Sequence, residues 1–432
     1  MNILYILNIF FFIPVYLYIL YLYRKKYNYP LYSIPTFIIS LTIPILLLKR
    51  TGSAFIDLIK IDNPYFQFSI LMDNIQLLIV LLQTIILIKY LKLFEKIFFN
   101  LFSVFKIFNL KKITISNSNY IYYVTLLFYF VSFIILTNSN TNTISWIMNP
   151  RDGYQFAREG AGVWYALSII FLGVNSTILF IYRTNKFNKF IINVIVYAYL
   201  WYLFGGKAYI ISFFLLVLLS TTIHFDYAIT RKIFKIAITF VLVLILFLFF
   251  NNGFNFTFTD SVDSVFGYFD HYYYSSMFYE DVFKSNFNFF NGKIFATNFY
   301  KYMPRSIFHD KPYVYGPILL NEIYLPGYAA LGHTPEFAGQ SSYYADFGIL
   351  GVIIFNILDI NFLIKTFFFL LILKNAKNKE IIFKSYYFAP AIFSFAPAFS
   401  QFISFPFDIL LLIFFSIFFS LFYKKQEFAN NF

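Results

Sequence analysis

Residues 119–137 read "NYIYYVTLLFYFVSFIILT", a run with no charged side chain. A helix rises about 1.5 Å per residue, so a run of this length crosses the hydrocarbon core of a bilayer. Comparable segments recur at 3–23, 31–48, 70–91, 163–182, 189–204, 208–223, 233–250, 349–373, 386–403 and 405–423. The chain has 432 residues, 60% of them hydrophobic and 12% charged, with a mean hydropathy of +0.69. A soluble protein of this size has no use for that much apolar surface. The expectation is an all-α polytopic membrane protein with about eleven transmembrane helices, forming a single domain over 1–432.

Composition excludes several classes of chemistry. Cysteine is absent, which removes disulfides, thiolate nucleophiles and Cys-ligated metals. The 65 Phe and 38 Tyr accompany abundant Ile, Asn and Lys, the residue bias of an AT-rich genome, so aromatic richness alone assigns no sugar-stacking role. The net charge of +13 does not point to nucleic acid, because Lys and Arg cluster at the ends of apolar runs, where they set topology and meet anionic headgroups. The N-terminus lacks a charged start and a small-residue cleavage site, so no cleaved leader is expected.

The basic clusters at 24–26, 89–112, 183–189, 231–232, 374–384 and 424–425 fall on one side of the spans. The positive-inside rule makes that side cytoplasmic, with the N-terminus outside and the C-terminus inside. Lys49 and Arg50 run against this assignment. Segment 92–112, apolar with a Lys every few residues, reads as an amphipathic helix on the cytoplasmic face. Two stretches, 138–162 and 251–348, are far longer than ordinary connections and carry aromatics, Pro and Gly rather than a uniformly polar sequence. They are expected to be external functional loops, facing the periplasm or the extracellular space.

Those loops hold the candidate chemistry. In "NPRDGYQFAREGAG", a helix over 151–159 would place Arg151 and Arg158 two turns apart, on one face with Tyr154 and Gln155. Two guanidinium forks suit a diphosphate, although pairing with Asp152, Glu159 or lipid headgroups uses the same residues. "FGGKAYI" delivers Lys207 on a tight turn, either for a ligand or as a snorkelling interfacial lysine. "YKYMPRSIFHDKPYVYGP" gathers Arg305, His309 and Lys311 among tyrosines, which suits an anionic, sugar-bearing ligand or simply a solvated loop. "LGHTPEFAGQSSYYADFGILGVI" places His333 and Glu336 just before an apolar segment whose helix is expected to begin near Gly348. Either residue could act as a general base, and Gln340, Ser341 and Ser342 could contact sugar. There is no Walker A sequence, no dinucleotide-binding glycine motif and no HExxH. Glu280 and Asp281 stand side by side, but not in the first external loop, where metal-dependent membrane glycosyltransferases carry their acids. No metal site is read.

These features together resemble the O-antigen and oligosaccharide repeat-unit polymerases of bacterial surface-polysaccharide assembly. The likeness rests on the "NPR" loop (Asn149, Pro150, Arg151, Tyr154, Arg158, Gly160, Gly162), the Gly-Gly-Lys turn, a dominant late loop, and "GHTPE…YYADFGILG". Such proteins often carry arginine where this chain has Lys207. The resemblance implies a metal-independent, GT-C-like membrane glycosyltransferase without cofactor. Its substrate would be undecaprenyl-diphosphate-linked oligosaccharide at the outer face of the bacterial inner membrane, and a polysaccharide chain-length regulator is a further possible partner. In that scheme Arg151, Arg158 and Arg305 stabilise the departing diphosphate, and Glu336 or His333 takes the acceptor proton. The alternatives are an O-antigen ligase, whose His-rich late motif is reduced here to His333, and a flippase. The long late loop and the scarcity of mid-span charges, chiefly Asp73 and Asp359, count against transport.

Overall fold

The computed structural model describes residues 64–104, 115–153, 161–183, 186–205, 271–300, 307–312, 314–328 and 339–357. It also describes scattered positions within 14–25 and 209–221, together with Met303 and Phe337. Among them every regular element is a helix. The longer ones are α1 (Tyr65–Val104), α2 (Ile115–Asn140), α5 (Gly162–Thr177), α6 (Phe187–Tyr202), α7 (His271–Phe283) and α10 (Gly339–Ile357). Shorter ones are α3 (Thr143–Met148), α4 (Pro150–Asp152), α8 (Lys293–Tyr300) and α9 (Ile318–Tyr324). Tyr65–Ile97, Tyr120–Asn140 and Gly162–Phe180 are long and apolar enough to cross a membrane. The apolar runs expected at 70–91, 119–137 and 163–182 therefore coincide with helices. Those at 31–48, 233–250, 386–403 and 405–423 lie outside the described residues.

The chain divides into two compact units, each assembled from separate stretches of sequence. The first comprises 1–85, 231–298 and 312–359; the second comprises 86–230, 299–311 and 360–432.

In the second unit α2 packs along α5, and polar side chains hold the pair together. Asn175 donates to the Tyr122 carbonyl at 2.7 Å and to Thr125 Oγ1 at 2.9 Å, and Ser168 meets Ser132 at 3.1 Å. Between apolar surfaces in lipid there is no water to expel, so close packing and interhelical hydrogen bonds carry association. Tyr197 and Trp201 of α6 join this set by bonding to Asn175 and to Ser176. α5 continues as a π-helical turn over Ile178–Arg183. The helical path of α1 is interrupted at Tyr90 (φ −112°, ψ 21°), and its continuation to Val104 makes the start of segment 92–112 helical.

In the first unit, the portions of the expected external loop 251–348 that belong to it carry α7, most of α8, α9 and the start of α10. Met72, Phe278, Tyr279, Ile294, Leu320, Phe337, Ala345 and Val352 form one buried cluster. Phe68 of α1 meets Tyr279 and Phe283 edge-on, each at 4.9 Å between ring centroids. The start of the last described helix differs from expectation. α10 begins at Gly339, nine residues before Gly348, and is broken internally at Phe347 (φ −139°, ψ 21°) and Gly348 (φ 61°, ψ −151°). Only glycine adopts the Gly348 conformation without strain. Replacing Gly348 with Ala is expected to cost about 1–3 kcal/mol and to lower the unfolding midpoint of the detergent-purified protein. An unchanged midpoint in a thermal melt would show that the break is not needed.

Candidate functional site

In the second unit two motifs that are far apart in sequence come together. Asn142 caps α3, its Oδ1 accepting the Ser145 N–H at 2.7 Å, and this sets the path into "NPRDG". The Trp146 indole is buried and donates to the Leu203 carbonyl at 2.8 Å, on the Gly-Gly turn. Gly153 lies flat against that ring: a Cβ there would sit 2.5 Å from the indole. Arg151, exposed at the surface, then reaches the Gly205 carbonyl through Nη1 at 3.3 Å. Of the helix expected over 151–159, the described part is the helical turn Pro150–Asp152 with Gly153 after it, and 154–159 lie outside the described residues. Tyr154 and Arg158 lie outside the described residues, as does Lys207, two positions after Gly205 in sequence. Further along the chain, His309 is exposed on a turn, and Lys311 Nζ donates to the Met303 carbonyl at 3.0 Å. Arg305 lies outside the described residues.

In the first unit the polar run before the apolar segment turns inward. Gln340, Ser341 and Ser342 are buried on α10. The Gln340 side-chain carbonyl accepts from Asn356 Nδ2 at 2.5 Å, and Ser341 meets Ser275 of α7 at 2.9 Å. One helix turn above Ser275 in α7, Tyr272 donates to the buried Asp73 carboxylate of α1 at 2.9 Å. Tyr279, another turn along, is fully buried, and burial pushes its hydroxyl well above the usual phenol range, so it stays neutral. His333 and Glu336 precede this helix and lie outside the described residues.

The sequence reading missed Asp346. Its side chain is buried, yet it accepts three backbone N–H groups: Gly292 at 3.0 Å, Ile294 at 3.1 Å and Phe295 at 2.7 Å. A carboxylate at the start of α8 meets the positive end of that helix and its unpaired donors. The break at 347–348 leaves the carbonyls of Ala345 and Asp346 open to partners outside α10. The N–H groups of Phe290 and Asn291 fill them at 2.9 and 3.1 Å. The available signal was an acid immediately before a Phe-Gly pair that interrupts an apolar run. Among the described residues no group of three or more His, Asp or Glu side chains gathers as metal ligands would.

A chain with long apolar helices, polar interhelical bonds and folded interhelical segments is a multi-pass helical membrane protein. Comparison with known proteins finds similarity to O-antigen polymerases. The chain is 28% identical over 233 residues to the O-antigen polymerase of Salmonella typhimurium, and equally to that of Salmonella typhi. The match covers 52% of this chain and 54% of each relative, so the chain spans about half the length of the curated relatives it matches. No family model matches, and no solved structure matches significantly.

Asp346→Ala is expected to remove all three side-chain bonds at the start of α8, costing about 1–3 kcal/mol. Asp346→Asn keeps an acceptor and is expected to cost less. Thermal unfolding of the purified variants should rank wild type above Asn above Ala; equal midpoints would remove Asp346 from its role as a cap.

Proposed function

We propose that the protein polymerises undecaprenyl-diphosphate-linked oligosaccharide repeat units into a surface polysaccharide, at the outer face of the bacterial inner membrane. The observation that carries this reading is the meeting of the "NPR" segment with the Gly-Gly turn through Arg151 and Gly205, in a chain related to O-antigen polymerases. These two segments hold the candidate diphosphate-binding cations. The N-terminus is outside and the C-terminus cytoplasmic in this scheme, and a chain-length regulator is the expected partner.

The chemistry is glycosyl transfer without metal or cofactor. The acceptor sugar's hydroxyl oxygen attacks the anomeric carbon of the growing chain, and the bond from that carbon to the diphosphate oxygen breaks. The electron pair leaves with undecaprenyl diphosphate. Arg151, Arg158 and Arg305 stabilise the charge that develops there, because a guanidinium stays charged and donates two parallel bonds to phosphate oxygens. The acceptor's proton passes to Glu336 or His333. Lys207, His309, Lys311, Tyr154 and Gln340 are assigned to substrate binding. For Gln340 this requires its bond to Asn356 to be exchanged for one to sugar.

Deleting the gene should leave glycan of one repeat unit. Loss of all exported glycan would indicate a flippase, and lipid-linked polymer that is never transferred would indicate a ligase. Arg151→Ala and Arg158→Ala should each lower polymerisation by about 10²–10³-fold, read from the glycan ladder at matched protein abundance. A wild-type ladder from either variant would end its diphosphate role. Of Glu336→Gln and His333→Ala, the variant that removes the base should bind lipid-linked substrate without turning it over; full turnover by both would exclude the pair.

A further inference from the structure

Arg183 closes the π-helical turn at the end of α5, and its surroundings are unusual for an arginine. Its guanidinium lies over the Tyr122 ring at 4.1 Å and beside the Tyr123 ring at 5.3 Å. Nη1 is buried and makes no hydrogen bond, and no carboxylate pairs with Arg183 among the described residues. The Tyr122 hydroxyl, which could turn toward a ligand, is tied to Tyr197, and Tyr197 in turn to Asn175. The aromatic wall is thus fixed from behind. Stacking on an aromatic face neutralises no charge, and Arg183 as a whole is only half-buried, so its guanidinium keeps capacity for an anion at its accessible edge.

The neighbouring sequence adds charge of the same sign. Lys186 is the residue before α6 and Lys189 lies in its first turn, both exposed, and that turn contains no acid. The positive end of a helix is stabilised by acids and penalised by lysines, so these residues do not serve α6 itself. Position matters as well. From Gly162 to Arg183 the chain rises about 30 Å at the helical repeat, the thickness of a hydrocarbon core. Arg183 therefore sits at the opposite membrane surface from the Arg151 turn, and takes no part in the proposed transfer reaction.

We propose that Arg183, framed by Tyr122 and Tyr123 and supported by Lys186 and Lys189, binds the phosphate of an anionic phospholipid headgroup. The guanidinium donates to phosphate oxygens from its seat on the tyrosines, and the two lysines add attraction without defined geometry. A phosphate ester fits better than a carboxylate peptide. It is delivered at the depth of the span end by its own acyl chains, which lie along the exposed apolar residues Leu127 and Tyr123 of α2.

The test uses the full-length protein reconstituted in phosphatidylcholine vesicles containing spin-labelled phosphatidylglycerol, with the motionally restricted fraction read by electron paramagnetic resonance. Wild-type protein should prefer phosphatidylglycerol to labelled phosphatidylcholine, and Arg183→Gln should weaken that preference by about fivefold. Lys186→Gln with Lys189→Gln should weaken it less than Arg183→Gln does. Tyr123→Leu, a change at an exposed ring that leaves the folded core untouched, should also weaken it and covers the case in which Arg183→Gln does not fold. Wild-type preference in both Arg183→Gln and Tyr123→Leu overturns the site. A loss confined to the lysine pair does so too, since it marks only diffuse attraction. Displacement of the labelled lipid by equimolar inorganic phosphate would assign the pocket to free phosphate and likewise overturn the proposal.

Discussion

The first unit depends on one carboxylate. Asp346 gathers the N–H groups of Gly292, Ile294 and Phe295, and the same two residues, Ala345 and Asp346, give their own carbonyls to Phe290 and Asn291. A helix broken inside an apolar region must find new partners for the backbone groups it frees, or lose several kcal/mol for each (about the cost of an unpaired amide in hydrocarbon). Here the partners come from a segment more than fifty positions earlier in the sequence. The break and the folded segment 286–300 are therefore one feature: neither satisfies its backbone without the other.

The second unit meets the same constraint differently. Its helices are continuous or nearly so, and the polar groups that need partners are side chains. Asn175, Ser168 and Ser132, with the hydroxyls of Tyr122 and Tyr197, bond across helices rather than along them. Each side-chain bond is modest, about 0.6 kcal/mol on average in a membrane setting. Their value is in fixing which helix faces meet. The aromatic wall behind Arg183 is a by-product of that fixing.

Apolar length was the most legible property of the sequence. It placed the runs at 119–137 and 163–182 within a few residues of α2 and α5, because hydrocarbon thickness is a one-dimensional constraint that a sequence displays directly. The polar run at 340–342 was less legible. Gln, Ser and Ser before an apolar helix read equally well as cavity lining or as interhelical bonds, and spacing alone cannot say that Ser275 stands 2.9 Å from Ser341. The start of α10 was misplaced for a related reason. "FG" marks a real interruption, but only the bonds to Phe290 and Asn291 explain why helix exists on both sides of it. The "NPR" and Gly-Gly motifs were each visible, while their meeting at Arg151 and Gly205 was not, since nothing local in either segment names the other.

The seat of Trp146 also has an optical consequence. Its indole is buried, bonded to the Leu203 carbonyl and pressed against Gly153, which ends the "NPR" turn. The chain holds three tryptophans in all, and Trp201 is likewise buried, so Trp146 contributes one part of the emission. An indole in that seat emits to the blue, and unseating the turn would expose it to water and shift the emission red. The protein thus carries an intrinsic fluorophore at the junction of its two motif-bearing segments, one that follows their engagement without any label being attached.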